Sequence, residues 1–178
     1  ENREVRFSVN DLVLKAVAKA LAANKYMLTS IEGNEIVHHE QVNIGMAVAL
    51  DSGLIVPVIK DADKLSLGAL AEKAKDLAGR ARSGGLEMDE YQGSTFSVSN
   101  LGMFQVEAFT PIINQPNAAI LGVCSIDDEL ALVNGEVKVK KVMRICLTYD
   151  HRLMDGAQAA RFQLAVKELL ENPMEILL

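Results

Sequence analysis

A chain of 178 residues is long enough to bury a sizeable core within one domain. Its composition, 49% hydrophobic and 24% charged, belongs to a folded globular protein and excludes a disordered one. A formal charge of −6, from 18 basic and 24 acidic side chains, denies it the basic surface that a general grip on nucleic acid requires.

Asn10 or Asp11 is placed to cap a first helix over residues 11–24, along which Leu12, Val13, Ala16, Val17, Ala20 and Leu21 recur at helical spacing. Lys15 and Lys19 interrupt its apolar stretch, "LVLKAVAKALAA", which is too short to cross a bilayer, and no membrane partner is expected. Nothing at the N-terminus reads as a signal peptide, so a reducing setting is expected: cytoplasmic, or the mitochondrial matrix if eukaryotic.

Three strand-like runs follow: "EIVHHE", "VNIGMAVALD" and "GLIVPVIK". The last is apolar nearly throughout and should be covered on both faces, with Pro57 marking an edge or a bulge. His38 and His39 would point to opposite faces of their strand, a poor geometry for sharing an ion, and no metal site is expected. Ser66 opens a second helix that Gly84-Gly85 closes, its polar side reading as a solvated face. "STFSVSNLG", residues 94–102, alternates as a strand and runs into a loop.

"NAAILGVCSI" is a buried strand, "ALVNGEVKV" a hairpin turning at Asn134-Gly135, and "VMRICLTYD" a strand with Met143, Ile145, Leu147 and Tyr149 on one face. Cys124 and Cys146 lie inside these apolar runs and read as buried free thiols. A last helix spans about Gly156 to Glu171 and stops at Asn172-Pro173. Three helices among seven or so strands predict an α/β or α+β fold, a mixed sheet with helices on one face.

Chemistry has two candidate places. "LTYDHRLMDGAQAARF" sets His151 where a strand hands over to a loop, with Asp150 and Asp155 able to orient or tune it. The competing structural reading makes Asp155 a helix cap and pairs Arg152 with Asp150. "SVSNLGMF" offers Ser97, Ser99 and Asn100 at a strand end, where a hydroxyl and backbone N–H groups suit a developing oxyanion, or serve an ordinary turn. The chain has no Gly-x-Ser-x-Gly elbow and no phosphate-binding loop.

"TYDHRLMDGAQAARF" resembles the Asp-His-Arg-x-x-Asp-Gly signature of the dihydrolipoamide acyltransferase components of 2-oxo acid dehydrogenase complexes. "FSVNDLVLKAVAKAL", "GLIVPVIKDADKLSL", "FSVSNLGMFQVEAFTPIINQPNAAILGV" and "ENPMEILL" resemble that catalytic domain in the same order, so the likeness covers essentially all of residues 1–178. The resemblance implies a fold like chloramphenicol acetyltransferase and a homotrimer with active sites between subunits, built into a core of trimers. Dihydrolipoamide and coenzyme A would enter from opposite ends of a channel. The resemblance further implies three catalytic residues: His151 as general base on the thiol, Ser99 as hydrogen-bond donor to the tetrahedral oxyanion from the facing subunit, and Asp155 as a positioning residue.

The same resemblance implies partners: the decarboxylase component, dihydrolipoamide dehydrogenase and a lipoyl-lysine supplied from outside this chain. It implies a further N-terminal segment too, bearing an arginine that holds the active-site aspartate. Arg3 and Arg6 lie too close to the first helix to be that arginine. Gln105 stands where the family often has glycine, and "EILL" fits an anchor between trimers or a helix end tucked onto its own subunit. "SNLGMF" and "FTPIIN" resemble acetyl-transferring members more than succinyl-transferring ones, without separating pyruvate from acetoin complexes. The alternatives are an antibiotic acetyltransferase, disfavoured because Asp150 and Arg152 flank the histidine, and a non-catalytic core subunit, disfavoured because the histidine is present.

Overall fold

In the computed structural model, which describes residues 7–51 and 53–177, helix α1 spans Val9–Ala23 and starts before its apolar periodicity does. Ser8 is the cap, in place of Asn10 or Asp11. Its hydroxyl accepts from the Asp11 N–H at 3.2 Å, while the Asp11 carboxylate accepts from the Ser8 N–H at 2.8 Å, a reciprocal capping box. Lys15 falls on the buried side of α1, where its ammonium donates to the Asp63 and Leu65 carbonyls at 3.0 and 2.6 Å. Burial pushes its pKa down.

The strands are more numerous than the periodicity predicts. β1 (Thr29–Glu32) pairs with β2 (Glu35–His38) across a tight turn whose Gly33 has φ +62°, and β1 carries no alternation of its own to announce it. β3 (Ile44–Met46) and β4 (Val48–Leu50) share the second run. "GLIVPVIK" is not one doubly covered strand. It breaks before Pro57 into β5 (Gly53–Ile55), which pairs with β4 as a ribbon exposing Leu54, and β6 (Val58–Ile59), the sheet edge. Proline lacks the N–H needed to continue a ladder, and its carbonyl instead accepts from Met46 at 2.8 Å.

α2 (Leu67–Ser83) begins at Ser66 and ends with Gly84 left-handed at φ +73°, as its sequence predicts. β7 (Phe96–Asn100) follows, and then β8 (Ala119–Val133) and β9 (Glu136–Tyr149) run as one continuous hairpin. The buried strand and the first arm of the hairpin, read separately from sequence, are thus a single strand, β8, kinked by a bulge between Val123 and Ile126. Asn134 and Gly135 close it with φ +53° and +83°, the left-handed pair that a type I′ turn demands. α3 (Gly156–Glu171) has the expected bounds, and a short α4 (Pro173–Leu177) follows Asn172.

The five-stranded mixed sheet runs β6-β3-β7-β8-β9, with β7 parallel to both β3 and β8. Ile44, Met46, Phe96, Val98, Leu121 and Val123 point to one face and form the core with Leu14 and Val17 of α1, Leu70 and Leu77 of α2, and Phe162 and Val166 of α3. Phe96 and Phe162 meet with ring centroids 5.3 Å apart. This is the expected two-layer α+β sandwich with helices on one face. Ile176 of α4 is buried in this core, while Leu177 beside it stays exposed. Much of the far half of the hairpin carries no such cover: Leu130, Leu132, Val137 and Val139, all on one face of the ribbon, are 64–76% exposed.

Candidate active site

β7, β8 and β9 carry the candidate residues, and their register fixes where each one falls. Ser99 pairs with Gly122, which pairs with Cys146, so the three form a row on the face away from the helices. Segment 105–117 covers that face. Val106 accepts from Ser125, Asn117 reaches Ser97, and the Phe109 ring fills the hollow above Gly122. A Cβ on Gly122 would come within 2.8 Å of that ring and 2.4 Å of the Cys146 sulfur, so only glycine fits. Both cysteines are free; Cys124 is buried and Cys146 half-buried. Burial, then the neighbouring Cys124, holds the Cys146 thiol above its usual range.

The serines divide sharply. Ser97 is buried and its hydroxyl accepts from Asn117 at 2.7 Å, so it is committed to structure. Ser99 is half-buried, and among the described residues its hydroxyl has no hydrogen-bond partner. Residue 99 also borders a cleft of about 300 Å³ whose lining includes Met46, Val48, Leu54, Ala78, Arg82 and Met103. Asn100 supports the cleft from behind. It donates to the Asn10 side chain and accepts from the Gly102 N–H, both at 2.9 Å. Gln105, closing the turn after Gly102, has φ +58°, which explains why glycine suits that position.

His151 stands at the opposite end of the sheet. β9 ends at Tyr149 opposite Ala119, the Asp150 N–H donates to the Ala118 carbonyl at 2.8 Å, and the exposed imidazole follows, 5.6 Å from the Tyr149 ring centre. Both structural roles weighed for its neighbours are realised. Asp150 holds the Arg152 guanidinium at 2.6 and 3.0 Å, and that contact draws its carboxyl pKa down. Asp155 caps α3, accepting from the Gln158 N–H at 2.8 Å while the Gln158 side chain accepts in return at 2.9 Å. Among the described residues neither carboxylate hydrogen-bonds the His151 ring; they fix the two ends of the loop that presents it. Arg3 and Arg6 lie outside the described residues.

Ser99 sits three residues along and two strands across from Tyr149. At ordinary strand spacings that is about 14 Å between backbones, with His151 further still. A base and an oxyanion donor each need hydrogen-bond reach, about 3 Å, of the reacting group. One copy of the chain therefore cannot bring both to the same carbonyl. A larger hollow of about 770 Å³ between β9 and α3 holds none of the three candidates. Among the described residues no group of three His, Cys, Asp or Glu side chains is placed to hold a metal ion. Among the described residues no helix is long and apolar enough to cross a membrane.

The sequence pattern of the 2-oxoacid dehydrogenases acyltransferase (catalytic domain) family matches residues 1–178. The chain belongs to that family. It is 47% identical over 176 residues to the dihydrolipoyllysine-residue acetyltransferase component of the mitochondrial pyruvate dehydrogenase complex of Schizosaccharomyces pombe, covering 97% of this chain and 36% of that one. It is 38% identical over 174 residues to the succinyltransferase component of the Escherichia coli 2-oxoglutarate dehydrogenase complex, covering 98% and 43%. The chain thus spans less than half the length of these relatives.

Among solved structures, the cubic core of a pyruvate dehydrogenase multienzyme complex superposes with a TM-score of 0.91 at 39% identity, covering 98% of this chain and 73% of that one. The Azotobacter vinelandii dihydrolipoamide acetyltransferase superposes equally well, at 0.91, with 38% identity and the same coverage; its study concerns a serine, a histidine and an asparagine in the catalytic mechanism. Chloramphenicol acetyltransferase, at 0.62 and 15% identity over 92% of this chain and 78% of that one, shares the fold.

Proposed function

We propose that this domain transfers an acyl group, acetyl first of all, between dihydrolipoamide and coenzyme A in a pyruvate or acetoin dehydrogenase complex. The observation that carries the reading is one of spacing. In the Azotobacter vinelandii enzyme the histidine lies 52 residues after the serine and the asparagine four after the histidine. Ser99, His151 and Asp155 repeat those intervals in this chain.

In this mechanism the unhindered ring of His151 takes the proton from a substrate thiol, which at neutral pH is mostly protonated and a weak nucleophile. The thiolate attacks the thioester carbonyl, and the tetrahedral oxyanion accepts a hydrogen bond from the Ser99 hydroxyl. Collapse expels the second thiolate, which recovers the proton from His151. Because Ser99 and His151 lie at opposite ends of the sheet, the base comes from one copy and the hydroxyl from another, in a trimer or a larger core. The lipoyl-lysine arrives from sequence beyond this stretch, loaded by a decarboxylase component and reoxidised by a dihydrolipoamide dehydrogenase. The higher identity to an acetyltransferase, 47% against 38% for the succinyltransferase, supports the acetyl preference.

Acetyl transfer from acetyl-CoA to dihydrolipoamide by the natural chain tests this. His151→Ala should abolish turnover without changing particle mass. Ser99→Ala should lower kcat by roughly 100-fold or more, the usual loss for one oxyanion donor. Unchanged turnover in a folded His151→Ala protein refutes the base, and faster transfer from succinyl-CoA refutes the acetyl preference.

A further inference from the structure

The imidazole of His151 is exposed, and both carboxylates near it are engaged elsewhere, Asp150 on Arg152 and Asp155 on the first turn of α3. What lies beside the ring is Tyr149. The two ring centres are 5.6 Å apart, with their planes inclined by 39°.

Tyr149 is itself held at both ends. It packs, half-buried, against the core from the helix-facing side of β9. Its hydroxyl reaches over Gly156, the first residue of α3, where an added Cβ would meet it at 3.4 Å. The ring thus bridges the two elements between which the loop 150–155 is strung. It offers the imidazole a fixed surface to rest on.

An aromatic face carries negative charge density, and a cation within about 6 Å of its centre is attracted to it. A neutral imidazole gains little from that field, and an imidazolium gains more. The attraction therefore grows as the ring takes up a proton. An interaction stronger in the transition state than in the ground state raises kcat and leaves substrate binding alone.

We propose that Tyr149 is a positioning residue for acyl transfer, its ring orienting the His151 imidazole and stabilising the cation formed when that imidazole takes the proton of the substrate thiol. The thiol is left as thiolate, and the proton returns to the departing thiolate, so the imidazole ends neutral. The inference rests on the reading of His151 as the base given above.

Phenylalanine and its mono-, di- and trifluorinated ring analogues, incorporated at position 149 of the natural chain, test this. Fluorine drains the negative face while nearly preserving the shape of the ring. Tyr149→Phe should keep kcat within about twofold, because it keeps the face. Added fluorines should then lower kcat step by step, to about fivefold for the trifluorinated ring, with KM for acetyl-CoA and dihydrolipoamide within about twofold. Tyr149→Leu, which removes the face altogether, should lower kcat by about fivefold to tenfold. A flat fluorine series overturns the proposal, whatever Tyr149→Leu does to folding or rate, and so does a loss carried by KM alone. His151→Ala keeps the two readings apart. If it is folded and inactive while the series is flat, the role of Tyr149 alone fails; if it turns over unchanged, the base fails and this role with it.

Discussion

The carboxylate of Asp155 is committed to the first turn of α3, so any substitution there reports on stability as well as chemistry. Asparagine caps a helix about as well as aspartate, whereas alanine costs about 1 kcal/mol. Asp155→Asn should keep the unfolding free energy within a few tenths of a kcal/mol and retain most of the turnover. Asp155→Ala should lose about 1 kcal/mol in urea denaturation, and turnover with it. A stable but inactive Asn variant would show that the negative charge itself is required. At this scale the sequence exposes the right side chains and cannot rank them. Ser97 and Ser99 share a strand face, so alternation treats them alike; only Asn117, distant in sequence, consumes one and leaves the other.

Between elements, one ion pair ties the end of α2 to the turn that leads into β7. The Arg80 guanidinium, donating to both Glu90 oxygens at 2.5 and 2.6 Å, draws the Glu90 carboxyl down to about 2, helped by the Glu87 N–H. The folded state thus holds its proton less tightly than the unfolded chain, whose carboxyl titrates at about 4.3. The stability this pair contributes is fully present above that ordinary value and is lost as pH falls towards about 2. Arg80→Gln should therefore be less stable than wild type near neutrality, and chemical denaturation across an acid series should show the difference closing between about pH 4.3 and about pH 2. A difference that persists below pH 2 would assign the effect to packing. Element ends with a local chemical cause are legible in sequence, as Gly84 and Asn134-Gly135 show. The break at Pro57 is only half legible, because proline forbids a central strand without saying which pieces pair with what.

For the whole molecule, the outlying part of the β8–β9 hairpin is the unsatisfied feature. A two-stranded ribbon is marginal in water unless a further layer covers it, yet Leu130, Leu132, Val137 and Val139 are all more than 60% exposed. On the proposed reading, association with further copies supplies that layer. Leu130→Ser with Val139→Thr should lower the particle mass by sedimentation and make the melting temperature depend on protein concentration. An unchanged mass would place the contact between copies elsewhere. A protein of these 178 residues should sediment as a multiple of 19.3 kDa. Fold class is legible at this scale because three helical repeats and alternating runs leave few architectures. Register is not: nothing in "FSVSN" or "CLTYD" says that the two strands lie two apart and run in opposite directions, and that fact alone parts Ser99 from His151.

The parting of Ser99 and His151 has a genetic reading. On the proposed mechanism, two alleles, one lacking the histidine and one lacking the serine, each encode a nearly dead enzyme. When both are expressed together, a site whose base comes from the serine-deficient copy and whose hydroxyl comes from the histidine-deficient copy is whole again. Random mixing in a cyclic assembly makes about one quarter of the sites whole, while a chain bearing both lesions rescues nothing.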